Sequence, residues 1–305
     1  THVSRLPAQR TGFVQQSRMD KNKAVRAEVV RRLLAVSAVF LLGAGAAHAC
    51  SANLTQAQVD QANHYLDQNR SKDAFALMYP LSQQGSGGAN RFLSEMYEQG
   101  RGVKASSFMK RHLNWMGAQD SDPAAMYRTA VDFFDRGHRK DGEFWAKRAI
   151  DCGNPEALVL LIEKYLLAGR QEDARILIEA GLDRSIPRVK FIVAEQLDKG
   201  GIGLSKDPQL AYTWYYLAAK DGQVEAMAAL GYYFARGIHG VQDDVAAIHW
   251  YHKAALAGHV ESMTAYGWML ANGKGAQVDK EEARRYYLLA QKKGDTNASR
   301  FLKEL

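Results

Sequence analysis

The chain has 305 residues, of which 47% are hydrophobic and 24% charged, with only 6 Pro and 2 Cys. That composition excludes a disordered tail, a collagen-like fibre and a disulfide-dense miniprotein. The formal charge of +7 raises nucleic acid or an anionic membrane as partners, so the position of the charges matters.

The first Met is Met19, and residues 1–18 show no apolar periodicity, as expected of a leader or a miscalled start. From Met19 a basic stretch with Lys21, Lys23, Arg26, Arg31 and Arg32 runs into an uncharged segment from Leu33 to Ala47. Ala47-His48-Ala49 then places small residues where a signal peptidase reads them. Residues 19–49 are therefore expected to be a secretory signal peptide, the apolar run being short for a membrane span. Export from the cytoplasm, to a periplasm or cell envelope, is the expectation that follows. Residues 1–49 hold eight basic and two acidic residues, a net +6. The remainder holds 32 basic and 31 acidic residues, so a nucleic-acid partner has no support there.

Cys50 comes directly after that site. A first-position Cys is where a lipid would be attached, although the preceding Ala-His-Ala departs from a Leu-(Ala/Ser)-(Gly/Ala) lipobox. A lipid there would be the chain's one route to a membrane. The other fates are a free thiol and a disulfide with Cys152 in an oxidising compartment. No Cys-x-x-Cys occurs.

Residues 54–84, within an N-terminal segment 50–88, have the apolar spacing of a helical pair, with Ala57, Ala62, Tyr65, Ala74, Ala76 and Tyr79. An array of about six units and a terminal helix is expected over 89–305. In its middle, Pro123, Pro155 and Pro187 lie 32 apart, and Asp122 and Asn154 precede two of them as N-caps. In its last third the period is 36: Trp214, Trp250 and Tyr286; Tyr215, Tyr251 and Tyr287; Asp207, Asp243 and Asp279; Gly201, Gly237 and Gly273; Gly222, Gly258 and Gly294. The longer units carry a Gly-x-Gly turn, as at Gly201-Ile202-Gly203.

Each unit reads as two helices. In 224–258, Ala226, Leu230, Tyr233 and Phe234 share one face, Gly237 breaks the chain, and Asp243 caps a second helix lined by Ala247, Trp250, Ala254 and Ala255. Neither helix can bury its face alone, so neighbouring units must stack.

Residues 226–259, with Leu230-Gly231, Phe234, Gly237, Gly240-Val241, Asp243, Ala247, Trp250-Tyr251, Ala254-Ala255 and Gly258-His259, resemble the Sel1-like repeat, a relative of the tetratricopeptide repeat. Residues 262–295 and 189–222 match well, and residues 89–120 in part. The resemblance implies an all-α fold, a right-handed α–α superhelical solenoid. It also implies a scaffold that binds proteins or peptides and needs no cofactor.

The chemistry-bearing motifs are sparse. Ser107-Phe108-Met109-Lys110 has the Ser-x-x-Lys spacing of β-lactam-reactive enzymes but no Lys-Thr-Gly or Ser-Asp-Asn partner. His239, His249, His252 and His259 cluster in sequence without a His-Glu-x-x-His motif, and no metal site is assigned. On the first helix of a unit, Tyr232 points away from the core, and Trp268 occupies the same position 36 residues on. First helices line the concave side of tetratricopeptide-like arrays. Tyr232 and Trp268, with Arg236 and Asn272 a turn away, are therefore the expected binding strip. The expected function is a non-catalytic scaffold for a protein, peptide or glycan partner. The alternatives are an outer-membrane lipoprotein serving a secretion or exopolysaccharide complex, and a β-lactam-binding or -hydrolysing enzyme.

Overall fold

The computed structural model describes Cys50 and residues 53–305; the leader and signal-peptide expectations lie outside the described residues. Among these there are fifteen helices and no strand. The chain divides into two compact units, an N-terminal one extending to Leu177 and a C-terminal one from Ile178 to Leu305.

The N-terminal unit contains α1 (Gln56–Asp67), α2 (Ser71–Gln83), α3 (Gly87–Gln99), α4 (Ser107–Gln119), α5 (Pro123–Asp135), α6 (Arg139–Asp151) and α7 (Pro155–Leu167). The division falls within α8 (Gln171–Asp183). The C-terminal unit continues with α9 (Pro187–Lys199), α10 (Pro208–Lys220), α11 (Val224–Arg236), α12 (Asp244–Leu256), α13 (Val260–Ala271), α14 (Lys280–Lys292) and α15 (Thr296–Glu304). Consecutive helices pack as hairpins: α3 on α4 and α5 on α6 in the first unit, α9 on α10, α11 on α12 and α13 on α14 in the second. First helices also touch the next first helix, as α3 does α5 and α13 does α15. This is an all-α stack of helical hairpins.

The helix starts follow from local chemistry. Asp122 and Asn154 accept from the backbone N–H groups of Ala125 and Ala157, with Pro at the first helical position. Asp207, Asp243 and Asp279 accept from Leu210, Ala246 and Glu282 in the same way. His259 does so through Nδ1, 3.2 Å from the Ser262 nitrogen. The sequence column of glycines needs one correction. Gly237 and Gly273 take left-handed φ of 64° and 65°, but in the earlier unit that role falls to Gly200, φ 77°, and not to Gly201. α9 ends one residue early in the repeat, and the buried Ile202 takes the left-handed φ of 50° that follows.

Two cores form. Ala62, Met78, Phe92, Leu93, Met96 and Leu113 fill the first hairpins. Ile248, Met263, Leu270, Tyr286 and Tyr287 fill the last ones. Polar ties accompany them. Buried Asn90 accepts from Ser82 at 2.6 Å and donates to Asp120 at 3.0 Å, and Thr264 donates to Asp295 at 2.7 Å. A disulfide joins Cys50 to Cys152, which caps α6, across 102 positions of sequence. On the way to α1, the Asn53 carbonyl accepts from the Ser86 hydroxyl at the start of α3.

Candidate functional site

Tyr232 on α11 and Trp268 on α13 remain 50% and 41% exposed, although their helices are otherwise packed. Both line one cleft of about 770 Å³ in the C-terminal unit, which Arg236 and Arg300 of α15 also line. The Arg236 guanidinium lies 5.8 Å from the Tyr232 ring centroid, within cation–π range. The repeat places the two aromatics: one turn of sequence register in each unit, carried 36 residues along, puts both at one height of adjacent hairpins.

Asn272 is not part of this cleft. Its side-chain amide donates to the Trp268 carbonyl at 2.8 Å and closes the end of α13. It faces a smaller pocket behind Trp268. An Asn one residue past a helix can donate to one of its orphan carbonyls.

Several cleft residues were not anticipated. Tyr251 of α12 forms part of the wall; burial, and then the nearby Tyr232, push its hydroxyl up to about 12, with Arg236 opposing. It is thus a neutral donor at physiological pH. Asp244 faces Lys274 at 3.8 Å, and Asp295 is occupied by Thr264 and by the Asn297 and Ala298 N–H groups. Among the described residues Arg236 has no carboxylate within ion-pair distance. The cleft therefore offers two aromatic faces beside an uncompensated guanidinium. The equivalent column in the first unit carries Glu95, whose carboxylate takes Arg128 of α5 at 2.6 Å, so there the position joins first helices. No repeat signal points to Arg300, because α15 lies past the last full unit.

The other candidates are accounted for by packing. Ser107 is the first residue of α4, and the Lys110 ammonium pairs with Glu98 at 2.6 Å. His239 stacks on Tyr212 at 4.4 Å, His252 stacks on Tyr266 at 4.5 Å, His249 lies edge-on to Trp250, and His259 is a cap. Among the described residues no group of three potential ligands converges on one point. No helix among them is long and apolar enough to cross a membrane.

Stacked hairpins with a half-open aromatic cleft define an α-helical repeat protein of the tetratricopeptide-like kind. The Sel1 repeat family matches residues 88–107, 198–223, 224–259 and 260–295. The chain carries Sel1 repeats over these four segments. Its structure is similar to that of a Sel1 repeat protein from Oxalobacter formigenes, at 22% identity and a TM-score of 0.66, covering 77% of this chain and 99% of that one. It is also similar to c5321, a protective antigen of uropathogenic Escherichia coli with an SLR fold, at 19% identity and a TM-score of 0.55, covering 81% of this chain and 55% of that one. Both likenesses concern the fold. No curated protein sequence matches the chain significantly. The repeat scaffold is of a kind suited to protein–protein interaction.

Proposed function

We propose that the protein is an exported bacterial scaffold, periplasmic or envelope-associated, that captures a protein partner in the Tyr232–Trp268 cleft and performs no catalysis itself. The observation that carries the binding reading is the pairing of two half-exposed aromatics with the uncompensated Arg236 in one 770 Å³ cleft. Aromatic and Arg side chains are the usual anchors of interfaces. The partner that fits presents an apolar side chain for the rings and a carboxylate for Arg236. Replacing Tyr232 and Trp268 together by Ala should abolish capture of the partner from a native envelope extract without loss of helicity, and Arg236→Glu should weaken it. Undiminished capture by the double variant would remove the cleft from the reading.

Export is supported by the basic-apolar-small layout of residues 19–49 and by the Cys50–Cys152 disulfide, a bond characteristic of oxidising compartments. The same bond bears on the lipoprotein reading. A Cys50 sulfur bonded to Cys152 has no valence left for a thioether, so the two states exclude each other. The mature protein is expected to begin at an unlipidated Cys50, two mass units below its fully reduced form. A diacylglycerol adduct in the intact mass would reverse this and place the protein on a membrane.

A further inference from the structure

Two side-chain donors on the wall of the Tyr232–Trp268 cleft have no partner among the described residues. The first is the Arg236 guanidinium, exposed in the last turn of α11. The second is the hydroxyl of Tyr251 on α12. It makes no hydrogen bond among these residues, and unlike the sealed hydroxyl of Tyr233 it keeps accessible surface on the cleft. Burial, and then the nearby Tyr232, push it up to about 12 against the opposing charge of Arg236. The hydroxyl therefore remains a donor at physiological pH and lies within electrostatic reach of the guanidinium. Its ring rests on the backbone of Gly231, which fixes it beside the helix that carries Arg236.

The other cations of the cleft are faced by carboxylates: Lys274 by Asp244 at 3.8 Å and Arg300 by Glu304 at 3.9 Å. Arg236 is thus, among the described residues, the one lining cation that no carboxylate faces. It calls for a single negative charge. A phosphate monoester brings nearly two, into a cleft that Asp244, Glu261 and Asp295 also line. A carboxylate brings one charge on two oxygens, enough to accept from a guanidinium and a hydroxyl at once. The carboxylate of a chain end is usually captured by free backbone N–H groups. The helix starts bordering this cleft offer few, because Asp243, His259 and Asp295 already cap α12, α13 and α15.

We propose that Tyr251 and Arg236 together form the specificity pocket of the cleft and take one side-chain carboxylate, of Asp or Glu, from a linear segment of the protein partner. Apolar side chains next to that acid cover Tyr232 and Trp268. This rests on the reading of the cleft as the capture site. It adds the residue that selects the partner: the Tyr251 hydroxyl, which distinguishes a carboxylate from its amide.

The test selects a phage-displayed library of random dodecapeptides on the purified, disulfide-bonded protein and measures the enriched peptides by calorimetry. The expected peptides carry Asp or Glu beside an apolar residue. Changing that acid to its amide, or to phosphoserine, should weaken binding about tenfold, and amidating the peptide's C-terminus should not. Tyr251→Phe keeps the ring on Gly231, so the urea midpoint at pH 7 should hold. It should weaken the acidic peptide about tenfold and leave the amide peptide unchanged, a coupling that a merely structural role would not produce. Peptides that need Tyr232 and Trp268 but no acid, that prefer phosphoserine, that need a free C-terminus, or that lose equally to Tyr251→Phe as acid and as amide would each overturn the inference and leave the capture site standing. A library from which nothing enriches also overturns it, since a linear segment is what it names, and leaves the capture site to the envelope-extract experiment. Enriched peptides indifferent to the Tyr232→Ala, Trp268→Ala double variant would remove the capture site itself.

Discussion

The ring of Tyr251 on α12 lies flat against the backbone of Gly231 on α11, so closely that a Cβ at Gly231 would stand 2.6 Å from the ring. The same contact recurs 36 residues on, where the ring of Tyr287 covers Gly267. Two columns of the repeat, a glycine on the first helix and an aromatic on the second, are thus two halves of one contact that sets how near the helices of a hairpin come.

A sign reversal tests this contact. Glycine inside a helix normally costs about 1 kcal/mol relative to alanine, so Gly231→Ala should stabilise α11 if nothing touched it. Against the Tyr251 ring it should instead destabilise, by about 1–3 kcal/mol of overpacking. In a Tyr251→Ala background the same substitution should become neutral or favourable. Urea unfolding of the four proteins of this cycle gives the coupling directly.

Gly275 is under two constraints. Its φ is 74°, and a Cβ there would overlap the Asp244 carbonyl at the start of α12 in the preceding hairpin. Gly102 stands in the same relation to Ser71 at the start of α2. The second glycine of the Gly-x-Gly turn is therefore where one unit's loop seats on its neighbour. Gly275→Ala should lower the unfolding midpoint and speed hydrogen exchange in α12 and α13, with little effect on α1 to α6. Uniform loss of protection across the chain would contradict a local seat.

Stability should fall in alkali. Burial pushes the hydroxyls of Tyr251 and Tyr287 up to about 12 in the folded protein, against about 10 in an unfolded chain. A raised folded pKa means the folded state holds its proton longer. The stabilisation is complete below about pH 10 and is lost as pH climbs from there towards 12. Urea midpoints measured from pH 8 upward should stay level and then drop, and Tyr251→Phe should make the drop shallower.

Reduction of Cys50–Cys152 should destabilise the N-terminal unit. The bond closes a loop spanning 102 positions, for which the chain-entropy estimate is about 4.7 kcal/mol. Thermal melts with and without reductant, and a Cys50→Ser, Cys152→Ser double variant, should agree on a loss of that order or smaller. Identical melts would mean that the segment ahead of α1 contributes nothing when freed.

The repeat itself was legible because its columns carry distinct physical jobs. The caps at Asp207, Asp243 and Asp279 and the ring column at Tyr215, Tyr251 and Tyr287 can each be read from spacing alone. The pairing of Tyr232 with Trp268 and Arg236 was legible for the same reason. What spacing misses is anything settled by one turn's own geometry. Gly200 replaces Gly201 because α9 stops a residue early, and Asn272 turns back onto α13 because a helix end needs donors.

The bridge from Cys50 to the end of α6 also has a mechanical meaning. Tension applied at the N-terminus passes through sulfur to Cys152, so α1 to α6 lie outside the line of force. Stretched from its two ends, the oxidised chain should release less length than the reduced one by the 102-residue span it keeps shielded. A scaffold pulled at or ahead of Cys50 would thus keep its opening hairpins folded under load while later hairpins give way.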